Sequence, residues 1–108
     1  MELRPPSYFA LAALIDEPLH GYAIMRRAAE LSDGRVRLST GTLYSVLDRA
    51  MSESLVTVGE QYEVGGRQRR DYTLTAAGRV LLQQESEQMA RAARTVIKRL
   101  GVTKGALA

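Results

Sequence analysis

A long apolar stripe in the last third of this 108-residue chain limits the folds that are open to it. The stripe alternates spacings of four and three through Leu82, Ser86, Met89, Ala93, Val96 and Leu100. That period of 3.5 is typical of a helix that packs lengthwise against another helix. A helix of about 25 residues cannot bury such a stripe against so small a body, so we expect a second copy to cover it. The dimerisation residues are predicted to be Leu82, Met89, Ala93, Val96 and Leu100, the alternative being a helix folded back on its own domain.

Two shorter helices are predicted near the N-terminus. Pro residues are tolerated in a first helical turn, and the residue before Pro18 is pushed out of helical geometry. The first helix is therefore expected to begin at Pro5 and end at Glu17. The second is predicted from Tyr22 to Leu31, with an apolar face formed by Ile24, Ala28 and Leu31.

A third helix and three short strands follow. Ser39 and Thr40 offer N-cap side chains for a helix over 41–52. The alternation of polar and apolar residues in Arg35–Leu38 predicts a strand, and Leu55–Val58 and Arg69–Leu74 predict the two strands of a hairpin. The segment between them, Gly59–Gln68, ends in Gly65-Gly66-Arg67-Gln68, which is expected to form a flexible tip ringed by Arg.

This order of elements predicts a mainly α fold with a small β-hairpin wing. The arrangement is that of a winged helix-turn-helix followed by a long C-terminal dimerisation helix, which starts at a Thr75 N-cap and is closed by Gly101. We expect residues 1–74 to form a DNA-binding domain, residues 75–101 the dimerisation helix, and residues 102–108 a disordered tail.

Composition removes several classes of function. The chain has 0 Cys and one His, which excludes disulfide scaffolds, cysteine catalysis and the usual zinc sites. Because no nucleophile and carboxylate grouping is evident for His20, we predict no enzyme, no metal site and no cofactor. The apolar run from Tyr8 to Ile15 is far shorter than the roughly 20 residues that span a bilayer, so we expect a cytoplasmic protein without a membrane partner.

The charge favours an anionic partner without proving one. The net charge is +3, and 13 of the 15 basic residues are Arg. Arg carries a rigid fork of donors that suits phosphates and guanine edges. An Arg-rich proteome produced by GC-rich coding explains the same count equally well.

Three sequence blocks resemble the PadR family of bacterial transcriptional regulators. They are Pro18-Leu19-His20-Gly21-Tyr22, Ser39-Thr40-Gly41-Thr42-Leu43-Tyr44, and Gly65-Gly66-Arg67-Gln68-Arg69 with Tyr72 and Leu74-Thr75-Ala76-Ala77-Gly78. The blocks cover about residues 7–82 in the family's order, and one C-terminal helix resembles its short subfamily. Ala50-Met51 and Ser54-Leu55 depart from the family pattern. The resemblance implies a homodimeric repressor that binds an inverted-repeat operator in double-stranded DNA and is released by a small aromatic or drug-like effector.

Candidate DNA-binding residues lie on two elements. A helix that enters the major groove reads bases with its N-terminal residues, which here are Ser39, Thr40, Thr42, Tyr44 and Ser45, with Arg49 near a flanking phosphate. In the wing, Arg67 and Arg69 are expected to point together and Arg70 to oppose them. The alternatives are a solvated helix face and a charged edge strand that discourages aggregation.

The block around His20 supplies the remaining candidates. The resemblance implies that Tyr22 lies near the DNA backbone, although packing explains this Tyr equally well, and Arg26 is a secondary phosphate contact. His20 is expected to cap or pack at the start of the second helix, and Gly21 to allow the close approach of another segment. A winged helix also serves in some proteins only as a protein-interaction module, and this remains the alternative function.

Overall fold

The computed structural model describes residues 3–101, and the predicted disordered tail lies outside them. The elements are α1 (Pro5–Ala12), β1 (Leu19–His20), α2 (Gly21–Leu31), α3 (Thr40–Ser52), β2 (Val56–Val58), β3 (Tyr62–Val64), β4 (Arg67–Arg69), β5 (Asp71–Leu74) and α4 (Ala76–Arg99). The prediction of a mainly α winged helix-turn-helix with a long C-terminal helix is confirmed.

Helices α1, α2 and α3 enclose one core against a small sheet. Its fully buried side chains come from all three helices and from β2: Leu11, Ile24, Leu43, Leu47 and Val56. The apolar positions of α3 recur at helical spacing and put one face of that helix into the core. Its opposite face is left to solvent.

Two helices end in a Schellman turn, in which a residue with positive φ closes the last turn. After α2 this residue is Asp33, with φ 53°, and the amide of Gly34 donates to the carbonyl of Ala29. After α3 it is Ser54, with φ 61°, and the amide of Leu55 donates to the carbonyl of Ala50. Ser54 thus adopts a left-handed conformation that favours Gly.

The three-stranded sheet corrects two predictions. Its order is β1-β5-β2, with Leu19 opposite Tyr72 and Val56 opposite Leu74. The predicted strand at 35–38 is wrong, because β1 occupies that edge of the sheet and the chain from 35 to 38 joins no strand. Its alternation has another cause, since Leu38 is buried in the core.

Two helix predictions also need correction. The first helix ends at Ala12 and not at Glu17, because the amides of Leu14 and Ile15 donate to carbonyls three residues back, which tightens the chain into turns. On α2, Leu31 is 49% exposed, although it was placed on the buried face. It lies in the last turn, beyond the part of α2 that the core covers.

The hairpin is divided into two ladders. Beyond the sheet, β3 and β4 form a separate two-stranded ladder closed by Gly65 and Gly66, both with positive φ. Two such residues in a two-residue loop suit the right-handed twist of a hairpin. Of the predicted tip at 65–68, Gly65 and Gly66 form the turn, whereas Arg67 and Gln68 already belong to β4.

Helix α4 begins where predicted and packs on the domain only through its first turns. Thr75 is its N-cap, with its hydroxyl accepting from the amide of Gly78 at 2.9 Å and donating to the carbonyl of Ser54 at 2.7 Å. The hydroxyl oxygens of Tyr8 and Ser86 lie 2.7 Å apart and tie α1 to α4. Every residue from 87 to 101 is exposed.

The first residue of the predicted dimerisation stripe is buried within its own chain. Leu82 is 5% exposed and belongs to the core of its own chain, since α4 packs against α1 there. It has little surface left for a second chain. The stripe residues that remain on the surface are Met89, Ala93, Val96 and Leu100.

Candidate nucleic-acid interface

The start of α3 carries a concentration of exposed hydrogen-bonding groups. Ser39 is the N-cap, as predicted, because its hydroxyl oxygen accepts from the amide of Thr42 at 3.2 Å. The same hydroxyl donates to the Thr42 hydroxyl oxygen at 3.0 Å. The first turn holds no acidic side chain, so the positive end of the helix dipole is not neutralised there. Such an end favours a phosphate.

The predicted contact residues of α3 all face solvent: Ser39, Thr40, Thr42, Tyr44, Ser45 and Arg49. Tyr44 is 45% exposed, and its ring extends toward the start of α2. A Cβ built on Gly21 would lie 3.1 Å from the Tyr44 hydroxyl oxygen and 3.2 Å from Leu43 Cδ2. The expected close approach at Gly21 is therefore present, and it holds Tyr44 beside α2.

A cleft of about 380 Å³ lies between the start of α2, α3 and the wing. It brings together five of the predicted contact residues: Tyr22, Tyr44, Arg67, Arg69 and Arg70. Tyr22 is 66% exposed, so its ring is open to a ligand. The cleft thus joins aromatic hydroxyls from two helices to the guanidinium groups of the wing.

The three wing arginines share this cleft. Arg67 and Arg69 lie on one face of β4, as predicted, because one residue separates them in a strand. Arg70, which was expected to oppose them, also lines the cleft, as does Gln68, so residues of both strand parities border it. Arg70 lies between β4 and β5, outside either ladder, so strand parity does not apply to it.

His20 lies in the same cleft, at the N-cap of α2, but its side chain makes no capping hydrogen bond. Burial lowers the pKa of His20, and the Arg69 guanidinium lowers it further. The Asp71 carboxylate raises this pKa, but its effect is smaller than the other two together. The imidazole is therefore neutral at pH 7 and adds no charge to the cleft. Burial also raises the pKa of Tyr72, which lies behind the cleft.

Two predicted arginines lie apart from the cleft. Arg26 lines a shallow groove of about 670 Å³ along α2, together with Tyr22 and Arg37. Arg49 lies in the last turn of α3, where its Nε is 3.6 Å from the Glu53 carboxylate. Tyr22 borders both the cleft and the groove, so Arg26 continues the same surface, whereas Arg49 does not.

Sequence reasoning missed four residues of this surface. His20, Gln61 and Gln68 line the cleft, and Arg37 lines the groove beside it. His20 was weighed only as a cap, a packing residue or a catalyst. Arg37 was considered only as a polar residue in the alternating pattern of residues 35–38. The two Gln residues carry no signal in the sequence, since their position depends on how the wing folds over α3.

In residues 3–101, no helix has the length and apolar character needed to cross a membrane.

Comparison with known proteins gives a consistent result. The chain matches the transcriptional regulator PadR-like family over residues 10–84. It is 39% identical over 82 residues to the transcriptional regulator Rv3488 of Mycobacterium tuberculosis, and the aligned region covers 76% of this chain and 73% of that protein. It is 42% identical over 91 residues to an uncharacterized 37.1 kDa protein in transposon TN4556 of Streptomyces fradiae, covering 84% of this chain. The match spans only 25% of the length of that relative.

A solved structure shares the fold. The structure of Bacillus subtilis PadR in complex with operator DNA superposes with a TM-score of 0.66 at 23% identity, covering 75% of this chain and 47% of that one.

Proposed function

Because the chain belongs to the PadR-like family of transcriptional regulators, we propose that it binds double-stranded DNA sequence-specifically as a homodimer and represses transcription. The family consists of regulators and not of enzymes. Repression arises when the bound dimer occludes a promoter. A small aromatic or drug-like effector releases the dimer from its operator.

The arrangement of the cleft is the observation that carries this proposal. The N-terminal half of α3 exposes hydrogen-bonding side chains, and Arg67, Arg69 and Arg70 lie across from it. A duplex that receives α3 in its major groove brings its backbone against the wing, where guanidinium groups neutralise phosphates. Base contacts from Thr42 and Tyr44 would supply specificity, and arginine contacts to phosphate most of the affinity.

The exposed half of α4 supports the dimer. Met89 is 48% exposed and Val96 57% exposed, in the part of α4 where every residue from 87 to 99 is exposed. Covering these residues with a second α4 removes apolar surface from water, which favours association. A two-fold axis through such a pair places the two α3 helices about one DNA turn apart, near 10 base pairs.

The test is selection of duplexes from a randomised pool by the wild-type protein, followed by footprinting on the selected sequence. We expect an inverted repeat with half-sites roughly 10 base pairs apart, protected on both strands. Enrichment of no sequence would refute sequence-specific binding. Protection of one half-site by a monomer would refute the dimer.

A further inference from the structure

The wing is joined to the sheet through a β-bulge. Val58 pairs with Tyr72, and the amide of Gly59 donates to the carbonyl of Asp71 at 2.9 Å. The ladder resumes only where Tyr62 pairs with Arg69. Glu60 and Gln61 therefore oppose the single residue Arg70. Such a bulge interrupts the ladder and bends the hairpin. The angle between the wing and the three-stranded sheet must therefore be set by other contacts.

The wing has no core of its own to set this angle. Every residue from 59 to 68 is exposed, and a two-stranded hairpin is marginally stable in water. Contacts that cross the bulge must therefore orient Arg67 and Arg69 relative to α3.

One side-chain hydrogen bond spans the bulge. The Tyr62 hydroxyl donates to the Asp71 carboxylate at 2.6 Å. Tyr62 stands opposite Arg69, and a long aromatic side chain reaches diagonally two residues along the partner strand. This hydrogen bond raises the pKa of Tyr62, so the hydroxyl keeps its proton and remains a donor at neutral pH.

The same bond occupies the carboxylate nearest in sequence to the wing arginines. Asp71 is two residues from Arg69 and would neutralise that guanidinium if the two paired. The ion pairs among residues 3–101 involve Arg27 and Arg49, and none includes Arg69. Arg69 is thus left available to a phosphate while the Asp71 carboxylate is held by Tyr62.

We propose that Tyr62 is a positioning residue for DNA binding, whose hydrogen bond to Asp71 fixes the wing against α3 and keeps Asp71 from pairing with Arg69. This role rests on the proposed function, because it acts only through the wing's contact with a duplex. Tyr62 itself touches no base.

The test compares Tyr62→Phe with wild type on the duplex that wild type selects from a randomised pool. The control is Ser52→Ala, which removes a hydroxyl that donates to the carbonyl of Arg49 at 2.7 Å, at the end of α3 and away from the wing. We expect Tyr62→Phe to weaken binding about three- to tenfold and Ser52→Ala to leave it unchanged. The melting temperature of Tyr62→Phe should stay close to that of wild type.

The footprint separates positioning from general damage. In Tyr62→Phe, backbone protection on the wing side should be lost while major-groove protection by α3 is retained. Adding Asp71→Asn should restore part of the affinity, because it removes the charge that otherwise pairs with Arg69. A Tyr62→Phe footprint identical to wild type, or equal loss on both sides, overturns the proposal. If wild type selects no duplex, the proposed function fails instead, which is a distinct result.

Discussion

The hydroxyl of Tyr44 on α3 lies over Gly21 at the start of α2, where an added Cβ would come within 3.1 Å of its oxygen. Leu43 approaches the same point to 3.2 Å, so Gly21 is enclosed by side chains of α3. This contact explains why a small residue stands between His20 and Tyr22. It also couples the position of Tyr44, for which we propose base contact, to α2, so a substitution at Gly21 would displace the Tyr44 side chain.

Glycine positions give the first prediction. Gly78→Ala should destabilise the fold by about 3 kcal/mol or more, because the new Cβ would lie 2.2 Å from the carbonyl oxygen of Leu55. Gly41→Ala is the control in another helix, where nothing lies within 4 Å, and it should stabilise by roughly 0.5–1 kcal/mol. Urea unfolding of both variants measures the difference, and similar midpoints would show that the close approach at Gly78 is absent.

Ser54 gives a second stability prediction. Its φ of 61° costs an L-residue about 1 kcal/mol, which Gly does not incur. Ser54→Gly should therefore raise the free energy of unfolding by roughly 0.5–1 kcal/mol. Glu53→Gly, one residue earlier at φ −98°, should lower it. Thermal melts of the two variants should shift in opposite directions, and a destabilised Ser54→Gly would contradict the Schellman turn.

These local features show what could be predicted from the sequence. Ser39 and Thr75 both cap helices as expected. Each depends on side chains within a few residues of one another. The periodic faces of α3 and the start of α4 follow from the same local physics.

The features that were missed depend on contacts between distant segments. Strand β1 has only two residues and exists because His20 and Leu19 pair with β5. The bulge opposite Arg70 depends on how the strands on either side of it pair, and no local signal marks it. Leu82 fits the stripe of α4 as well as Met89 does, and only the packing of α1 on α4 separates them.

The exposed stripe of α4 gives a third prediction. Met89→Glu should convert the proposed dimer to a monomer, because it would place a charge among the apolar residues of the two α4 helices. Gln88→Glu adds the same charge at the adjacent position, off the stripe, and should leave the dimer intact. Sedimentation equilibrium distinguishes the two. A Met89→Glu dimer as stable as wild type would remove this stripe from the interface.

Two kinds of substitution separate affinity from specificity at the cleft. Arg69→Ala should weaken binding to all duplexes and reduce the slope of log affinity against log salt by about 1. Thr42→Ala should reduce binding to the selected duplex more than to a scrambled one. Arg27→Ala is the control, since Arg27 pairs with Asp16 and Glu17 away from the cleft. Equal losses on both duplexes from Thr42→Ala would refute its role in base contact.

His20 gives a prediction for pH. Its pKa in the folded protein is lowered by burial and by Arg69, below the value of about 6.5 in an unfolded chain. The unfolded state therefore binds more protons, so the stability from His20 is complete above about pH 6.5 and is lost as the pH falls through the folded pKa. Urea midpoints between pH 7.5 and 5.5 should fall less steeply in His20→Gln than in wild type. Equal slopes would show that the imidazole is solvated.

The assignment of this surface to DNA is tested most directly by measuring how affinity changes with salt concentration, for the selected duplex and for a scrambled duplex of equal length. If α3 reads bases while the wing neutralises phosphates, binding to both should weaken steeply with salt, and the selected duplex should bind at least about 1,000-fold more tightly at physiological salt. Equal affinity for the two duplexes, or binding that does not change with salt, would contradict the assignment of this surface to DNA.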